Sequence, residues 1–330
     1  MTLTRRRALG LMAGATLLAG AAGPASAEAY PSRVLRMIVP YPPGGPTDVI
    51  ARVVAEELGR SLGQNVIVEN LAGASGAIGT RAVAKAEPDG YTIMFGNNQT
   101  HGNNMFLLSN PGYDAVRDFA PLAGAGAFEH VFVTSNGLPA RSIPDLVALA
   151  RNDPGKLNYG STGLGSGSHL STELFMVRTG IRMTHVPFRG AAPLVQELMA
   201  GRIDVSNSTL PSVLGQIQSG DIRAIGLASP QRTASLPDVP TLREQGIGNA
   251  DAESWTAFFA PASVPKPVLA RLSGEIVAIL GRAEVKERLA KLGFTVAVKD
   301  PDAFRAYHAQ EMQTWADVIR TVGIKPETVN

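Results

Sequence analysis

The chain has 330 residues, with 30 lysines and arginines against 28 aspartates and glutamates, and no cysteine. This near balance of charge argues against a partner such as nucleic acid or an anionic membrane surface. The lack of cysteine excludes a disulfide framework and a thiolate site. The chain is longer than one hydrophobic core normally supports, so we expect two domains.

Residues 1–27 have the pattern of a secretion signal. A basic head, Arg5-Arg6-Arg7, precedes an apolar stretch over 8–23, and Ala25-Ser26-Ala27 provides the small residues that a signal peptidase accepts. A retained membrane anchor is the alternative, but the stretch is short and rich in glycine. The arginines also resemble a twin-arginine signal, so Sec and Tat export both stay open. We expect a periplasmic protein, cleaved near Ala27.

The segment after the signal alternates strands and helices. Short β-rich runs predict strands over 34–39, 66–68 and 91–95, and apolar residues at helical spacing predict helices over 46–62 and 75–86. Pro46 suits the first position of a helix, and Gly63 suits its end. The βαβαβ order predicts a parallel sheet with helices on both faces.

The alternation starts again in the second half of the chain. Strands are predicted over 157–160, 183–187, 203–205, 222–227 and 255–260, and helices over 142–151, 166–178, 193–200, 212–219, 268–280, 284–292 and 301–322. Two α/β units followed by a helical tail suggest that the chain crosses to a second domain and returns. We place the crossings near 127–133 and 251–258.

Two loops rich in glycine, residues 42–48 and 159–169, each join a strand to a helix. Ligands of open α/β sheets lie beyond the carboxyl ends of the strands, and free N–H groups at a helix start suit an anion. We predict that both loops contact a ligand and that a valine at Gly45 would strain the first one. Asp48 is interpreted as a capping residue. The second loop is neither a Walker loop nor a nucleophile elbow.

Other polar residues are weaker candidates. Arg189 follows a strand and is suited either to clamp a carboxylate or to form a surface ion pair. Asp204 lies beside a predicted strand end, where it would contact a ligand or brace a hinge. Residues 96–101 supply amides and hydroxyls after the third strand. His169 is interpreted as a packing or capping residue, and the five histidines show no spacing typical of metal ligands, so we expect no metal site.

Six motifs follow one another along the chain and span essentially all of it after the signal: Ile38–Asp48, Glu69–Gly79, Pro88–Tyr91, Leu157–Leu170, His185–Gly190 and Leu236–Thr241. In this order they resemble the Bug family, the extracytoplasmic solute receptors of tripartite tricarboxylate transporters. Pro43 departs from the pattern, since many relatives have a small residue there.

The resemblance implies an α/β fold of the periplasmic binding protein type (type II, Venus flytrap). Each domain would be a mixed sheet flanked by helices, with two crossover strands between them. Residues 28–130 and 253–330 would form domain 1, and residues 131–252 domain 2. The protein would be a monomer that binds a small carboxylate and delivers it to the membrane subunits of the transporter, without cofactor, metal or catalysis.

In the family, the ligand carboxylate is held largely by backbone amides, hydroxyls and ordered waters. Carried over to this chain, the contacts fall on Tyr41, Pro43, Gly44, Gly45, Thr47, Asn98, Ser161, Thr162, Gly165, Ser166, Arg189, Ala191 and Asp204. Two alternative functions stay open. One is a receptor of the same fold that signals to a membrane histidine kinase, and the other is a secreted hydrolase that pairs a serine with His169.

Overall fold

The computed structural model describes residues 30–248, 250 and 254–326. The predicted signal over 1–27 and the predicted domain boundary at 252/253 lie outside these residues. In the described part of the chain, eleven strands form two separate sheets, one of six strands and one of five.

The strands in chain order are β1 (Leu35–Val39), β2 (Val66–Asn70), β3 (Thr92–Asn97), β4 (Phe119–Phe128), β5 (His130–Ser135), β6 (Asn158–Ser161), β7 (Thr184–Pro187), β8 (Val205–Thr209), β9 (Ile222–Leu227), β10 (Ser254–Pro261) and β11 (Phe294–Lys299). The helices are α1 (Pro46–Leu62), α2 (Ala77–Ala84), α3 (Asn104–Leu107), α4 (Ile143–Asn152), α5 (Gly167–Thr179), α6 (Ala191–Met199), α7 (Leu210–Gln218), α8 (Lys266–Gly281), α9 (Ala283–Lys291) and α10 (Pro301–Val322). A 3-10 helix (Ala74–Gly76) precedes α2, and a π-helix (Gln99–Asn103) precedes α3. None of the helices in the described ranges has the length and apolar character that a membrane crossing needs.

Both sheets are mixed. The first has the order β11-β4-β10-β3-β1-β2, in which β1 pairs in parallel with β2 and β3, whereas β10, β4 and β11 pair antiparallel. The second has the order β7-β6-β8-β5-β9, in which β6 pairs in parallel with β7 and β8, and β5 pairs antiparallel with β8 and β9. Helices flank both sheets, so the predicted α/β fold with two mixed sheets is confirmed.

We call the first sheet with α1–α3 and α8–α10 the first lobe, and the second sheet with α4–α7 the second lobe. The chain leaves the first sheet at Phe128 and enters the second at His130. It leaves the second sheet at Leu227 and re-enters the first at Ser254. The division into domains at 130/131 and 252/253 stays a prediction.

Helix α1 shows how local sequence fixes the position of a loop. Gly45 is the N-cap, Pro46 occupies the first turn, and Gly63 ends the helix in the left-handed conformation with φ 68°. Ile50 and Leu58 lie on the buried face, and burying such a side chain contributes about 1.5–3 kcal/mol. The start of α1 is therefore anchored directly after the first loop.

Each lobe has its own hydrophobic core. Met94 and Phe259 belong to the first, and Phe132 and Phe175, with ring centroids 4.6 Å apart, belong to the second. A further group, which we call the bridging cluster, combines residues of both lobes. It consists of Leu107 of α3, Leu170 of α5, and Trp315 and Ile319 of α10. The carboxyl-terminal half of α10 therefore packs against both lobes.

Candidate ligand-binding site

Loops at the carboxyl ends of strands from both lobes touch one another. Gln99 Nε2 donates to the Leu164 carbonyl oxygen over 2.9 Å, and Ser75 Oγ donates to the same oxygen over 3.2 Å. Asn103 Nδ2 donates to the Gly165 carbonyl oxygen over 2.8 Å. The two lobes thus meet beyond the carboxyl ends of parallel strands, where open α/β sheets bind their ligands.

The structure places the first loop at residues 40–45, between β1 and α1, and the residue of this loop that requires glycine is Gly44. Its φ is 79°, in the left-handed region, and it is exposed together with Pro43. Gly45 has φ −76°, and a Cβ on it would lie 3.6 Å from the Pro42 carbonyl oxygen, an ordinary contact. A Cβ on Gly45 therefore fits without strain, and the left-handed conformation falls on Gly44. The predicted effect of the larger valine at Gly45 stays a prediction.

Asp48 holds the first loop together from inside. Its Oδ2 accepts the Gly44 N–H over 2.9 Å and Arg52 Nε over 3.0 Å, and its Oδ1 accepts Asn70 Nδ2 over 2.9 Å. Burial alone would raise the pKa of Asp48, but these hydrogen bonds together hold that pKa below its ordinary value. The ionised carboxylate of Asp48 forms hydrogen bonds within and beside its own loop. These bonds agree with the interpretation of Asp48 as a capping residue.

The first turn of α1 keeps backbone N–H groups available. Gly45 supplies no side-chain cap, and Pro46 has no N–H. The N–H groups of Thr47 and Asp48 have no hydrogen-bond acceptor among the described residues, and neither does the hydroxyl of the buried Thr47. Together with the positive end of the helix dipole, these donors suit an anion.

A group of amides follows β3 beside the first loop. The Tyr41 hydroxyl lies 2.8 Å from Asn97 Oδ1 and 2.9 Å from Gln99 Oε1, so its single proton serves one of the two. Burial raises the pKa of Tyr41, which keeps the phenol neutral. Asn98 is 1% exposed, and neither atom of its side-chain amide has a partner in the described part of the chain. Such a group is rare in folded proteins and agrees with the prediction that Asn98 belongs to the site.

The structure narrows the second loop to residues 161–166, and most of its polar atoms bond within the loop or to the first turn of α5. The Thr162 N–H donates to Ser168 Oγ over 3.0 Å, and the Gly163 N–H donates to Ser161 Oγ over 3.2 Å. Ser166 Oγ donates to the Gly163 carbonyl oxygen over 2.7 Å. The hydroxyls of Ser161 and Ser166, which were expected to offer hydrogen bonds to a ligand, therefore shape the loop itself.

Leu164 is the exception in this loop. Its N–H has no acceptor within the described residues, whereas the Gly165 N–H donates to His169 Nδ1 over 3.1 Å. Gly163 and Gly165 on either side have φ of 133° and 71°. The sequence did not lead us to Leu164, although its two flanking glycines indicate an unusual backbone. Ser75 and Asn103 were also missed.

Arg189 and Ala191 belong to a third segment, at the start of α6. Arg189 is exposed and has neither an ion pair nor a hydrogen bond to any described residue. Gly190 is the N-cap of α6, with φ 105° and no side-chain cap, and Ala191 is the first helical residue. A Cβ on Gly190 would lie 3.7 Å from Cγ of Pro42, so this segment reaches the first loop.

Asp204 lies apart from the other candidates. Its Oδ2 accepts the Asn158 N–H over 2.7 Å, at the first residue of β6, whereas the second loop follows the last residue of that strand. The strand expected over 203–205 begins only at Val205, so Asp204 precedes β8 instead of standing at its end. The structure therefore places Asp204 at the amino end of β6, whereas Ser161 is at its carboxyl end.

The remaining candidates from both lobes lie on loops that begin helices. Helices α1, α5 and α6 start at these loops, and the local charge of a helix start favours an anion. Within the described ranges, no group of three or more histidine, aspartate or glutamate side chains is arranged to hold a metal ion. The arrangement is chemically suited to hold a small anion by backbone donors.

Comparison with known proteins gives consistent matches over nearly the whole chain. A family model described as "Tripartite tricarboxylate transporter family receptor" matches residues 50–324. Protein BugT of Bordetella pertussis is 39% identical over 308 residues, covering 93% of this chain and 94% of that protein. A UPF0065 protein of the tcbD-tcbE intergenic region in Pseudomonas sp. strain P51 is 36% identical, covering 88% of this chain and 87% of that protein.

Solved structures agree with this fold. An R. palustris protein solved with adipate has a TM-score of 0.88 and 32% identity, covering 90% of this chain and 100% of the other. The periplasmic binding protein BugD has a TM-score of 0.84 and 31% identity, with coverage of 90% and 100%. MatC from Rhodopseudomonas palustris, solved with bound malate, has a TM-score of 0.81 and 30% identity, with coverage of 88% and 100%.

Proposed function

Because the chain belongs to the tripartite tricarboxylate transporter receptor family, we propose that it is an extracytoplasmic receptor that captures a small carboxylate between its two lobes. The observation that carries the proposal is a set of backbone donors at loops that touch across the lobes. The N–H groups of Thr47, Asp48 and Leu164 have no acceptor among the described residues. Donors of this kind hold a carboxylate without a positively charged side chain.

The class of ligand is supported by two relatives. An R. palustris protein was solved with adipate and MatC with malate, and both ligands carry two carboxylates on a short chain. These proteins are 32% and 30% identical to this chain over most of its length. We propose that the ligand of this receptor belongs to the same class.

The receptor would deliver its ligand to the membrane subunits of a tripartite tricarboxylate transporter. The description of the family supports this partner. The transporter would recognise the ligand-bound arrangement through its higher affinity for that state. We propose that the protein acts in the periplasm as a monomer, after export directed by residues 1–27.

Two contacts argue against hydrolysis by a serine nucleophile. Ser166 Oγ accepts the backbone N–H of His169 over 3.2 Å, and the ring of His169 takes another partner. Ser161 Oγ lies 2.6 Å from His185 Nε2, but Ser161 is fully buried and cannot reach a substrate. A receptor without catalysis fits these contacts better than a secreted hydrolase.

A thermal-shift screen with small carboxylates, followed by calorimetric titration, tests the proposal. The panel contains adipate, malate, citrate and benzoate, and the dimethyl ester of adipate serves as a matched uncharged control. A carboxylate at 100 times its dissociation constant should add about 2.7 kcal/mol to the free energy of unfolding. Binding of the ester as tightly as adipate, or of no carboxylate at all, would contradict the proposal.

Experiments in cells can distinguish a receptor for transport from a receptor for signalling. Deletion of the receptor gene should abolish uptake of the radiolabelled ligand, and the wild-type gene should restore it. Normal uptake combined with loss of a transcriptional response to the ligand would favour the receptor of a histidine kinase instead.

A further inference from the structure

Two histidines without a role in the proposed site lie stacked beside the second loop. His169 belongs to the first turn of α5 and His185 to β7, and their ring centroids are 4.1 Å apart with 17° between the planes. Tyr159 of β6 stacks on His185, with centroids 4.8 Å apart. Three elements of the second lobe thus build an aromatic column next to the loop.

Each histidine bonds to one end of the loop. His169 Nδ1 accepts the Gly165 N–H over 3.1 Å, and His185 Nε2 lies 2.6 Å from Ser161 Oγ. Because a backbone N–H can only donate, Nδ1 of His169 must be free of a proton, and the neutral ring carries its proton on Nε2. The two rings therefore use different nitrogens toward the same loop.

The surroundings keep both rings neutral. Burial, together with the neighbouring His185, lowers the pKa of His169 to about 3, and burial lowers the pKa of His185 to about 4. The dipole at the start of α5 also disfavours a cation at His169. Glu173 Oε1 lies 3.9 Å from His169 Nε2, but it accepts the Tyr159 hydroxyl, and burial raises the pKa of Glu173.

The hydrogen bond from Gly165 to His169 lies next to the contacts that the second loop makes with the first lobe. The N–H of Gly165 donates to His169, while the carbonyl oxygen of the same Leu164–Gly165 peptide accepts Gln99 Nε2 and Ser75 Oγ of the first lobe. Gly165 has a left-handed φ of 71°, and as a glycine it could also adopt other backbone conformations. The ring nitrogen therefore selects the direction in which the Leu164–Gly165 peptide faces the first lobe.

We propose that His169 and His185 are positioning residues for ligand binding, which act through Nδ1 and Nε2 respectively to fix the two ends of the second loop. The proposal rests on the carboxylate site described above. If the two rings only fill space, the position of a polar atom in a replacement side chain should not matter. The affinity for the ligand should then depend only on the volume of the side chain.

Asparagine and glutamine variants distinguish these cases, because Asn places a polar atom near the position of Nδ1 and Gln near that of Nε2. His169→Asn and His185→Gln should keep the affinity within about threefold of wild type. The crossed variants His169→Gln and His185→Asn should bind at least about fivefold more weakly, the loss of one hydrogen bond. The four dissociation constants are measured by calorimetric titration at pH 7.5 with the member of the carboxylate panel that binds wild type most tightly.

Equal affinity of both amide variants at each position would overturn the positioning role. Failure of wild type to bind any member of the panel would instead count against the carboxylate site itself. Melting temperatures report separately on folding.

Nitrogen NMR of the wild-type histidine rings provides a test without any variant. His169 should show an unprotonated Nδ1 and a protonated Nε2 between pH 6 and 8. A protonated Nδ1 on His169 would overturn the proposal even if the variants fail to fold.

Discussion

Gly44 and Gly45 are adjacent in the first loop but have different backbone conformations. Gly44 has φ 79°, and no atom lies within 4 Å of a Cβ built on it, whereas Gly45 has φ −76°. The sequence Pro42-Pro43-Gly44-Gly45-Pro46 predicts a tight turn and a helix start, but it does not tell which glycine adopts the left-handed conformation. That choice depends on the hydrogen bond from Gly44 to Asp48, which only the folded loop reveals.

Gly44→Ala should lower the free energy of unfolding by about 1–2 kcal/mol, because an L-residue in the left-handed region carries that cost. It should also weaken carboxylate binding, since the loop must rearrange. Gly45→Ala is the matched control and should change neither quantity by more than about 0.5 kcal/mol. Urea denaturation and calorimetric titration of both variants provide the measurements. Equal effects at the two positions would contradict the argument.

Substitution of Arg189 tests whether the ligand is held by backbone donors or by a salt bridge. Its side chain is exposed and without a partner in the described residues, so Arg189→Gln should weaken binding by no more than about 1 kcal/mol. Arg182→Gln, another exposed arginine of the same lobe, is the control. A loss of about 3–5 kcal/mol on titration would mean that Arg189 forms a buried ion pair with the ligand, and the proposal of backbone donors would be wrong.

At the scale of elements, caps and periodicity predict helices well. The predicted bounds of α1 and α10 match the structure at both ends, because a proline begins each helix and a left-handed glycine follows each one. Strands β4, β5 and β11 were not foreseen. Strand β4 is rich in alanine and glycine and contains Pro121, so its local preference for a strand is weak, and it forms through pairing with β10 and β11.

The start of α10 provides a quantitative test of capping. Asp300 accepts the N–H groups of Asp302 and Ala303 over 3.0 and 2.8 Å. Asp300→Ala should lower the free energy of unfolding by about 1 kcal/mol, the usual value of an N-cap. Asp302→Ala serves as a control, since its ion pair with Arg305 is exposed and should contribute less. Equal urea midpoints for Asp300→Ala and wild type would show that the cap is unimportant.

At the scale of the whole molecule, all five histidines are neutral and wholly or partly buried. Burial lowers the pKa of His130 and of His185 to about 4 and that of His169 to about 3, and it also lowers the pKa values of His101 and His308. The unfolded chain therefore binds more protons than the folded chain below pH 6.5, the ordinary histidine value.

Stability should accordingly fall as the pH is lowered from about 6.5 toward 4, with each histidine contributing up to about 1.4 kcal/mol per pH unit. Urea denaturation at pH 7.5, 6.5, 5.5 and 4.8 would measure the slope. Calorimetric unfolding at pH 5.5 in buffers of different ionisation enthalpy should show proton uptake. A flat profile, or no uptake, would be inconsistent with five neutral histidines.

The contacts between the lobes predict a change of shape on binding. Gln99 and Asn103 bond to the second loop across the lobes, so a ligand held between the loops would stabilise this arrangement. Small-angle scattering should give a smaller radius of gyration with a bound carboxylate than without one. The uncharged ester should leave the radius unchanged. An unchanged radius with a tightly bound carboxylate would rule out closure.

The bridging cluster contains a tryptophan whose fluorescence should respond to movement of the lobes. The chain has two tryptophans, and both are at most 6% exposed. Trp315 packs between helices of the two lobes, and Trp255 is the second residue of the strand by which the chain re-enters the first sheet. Since indole emission responds to the polarity and packing around the ring, we expect relative movement of the lobes to change the intrinsic fluorescence. Rates of ligand capture and release could then be followed by stopped-flow mixing of the unlabelled protein.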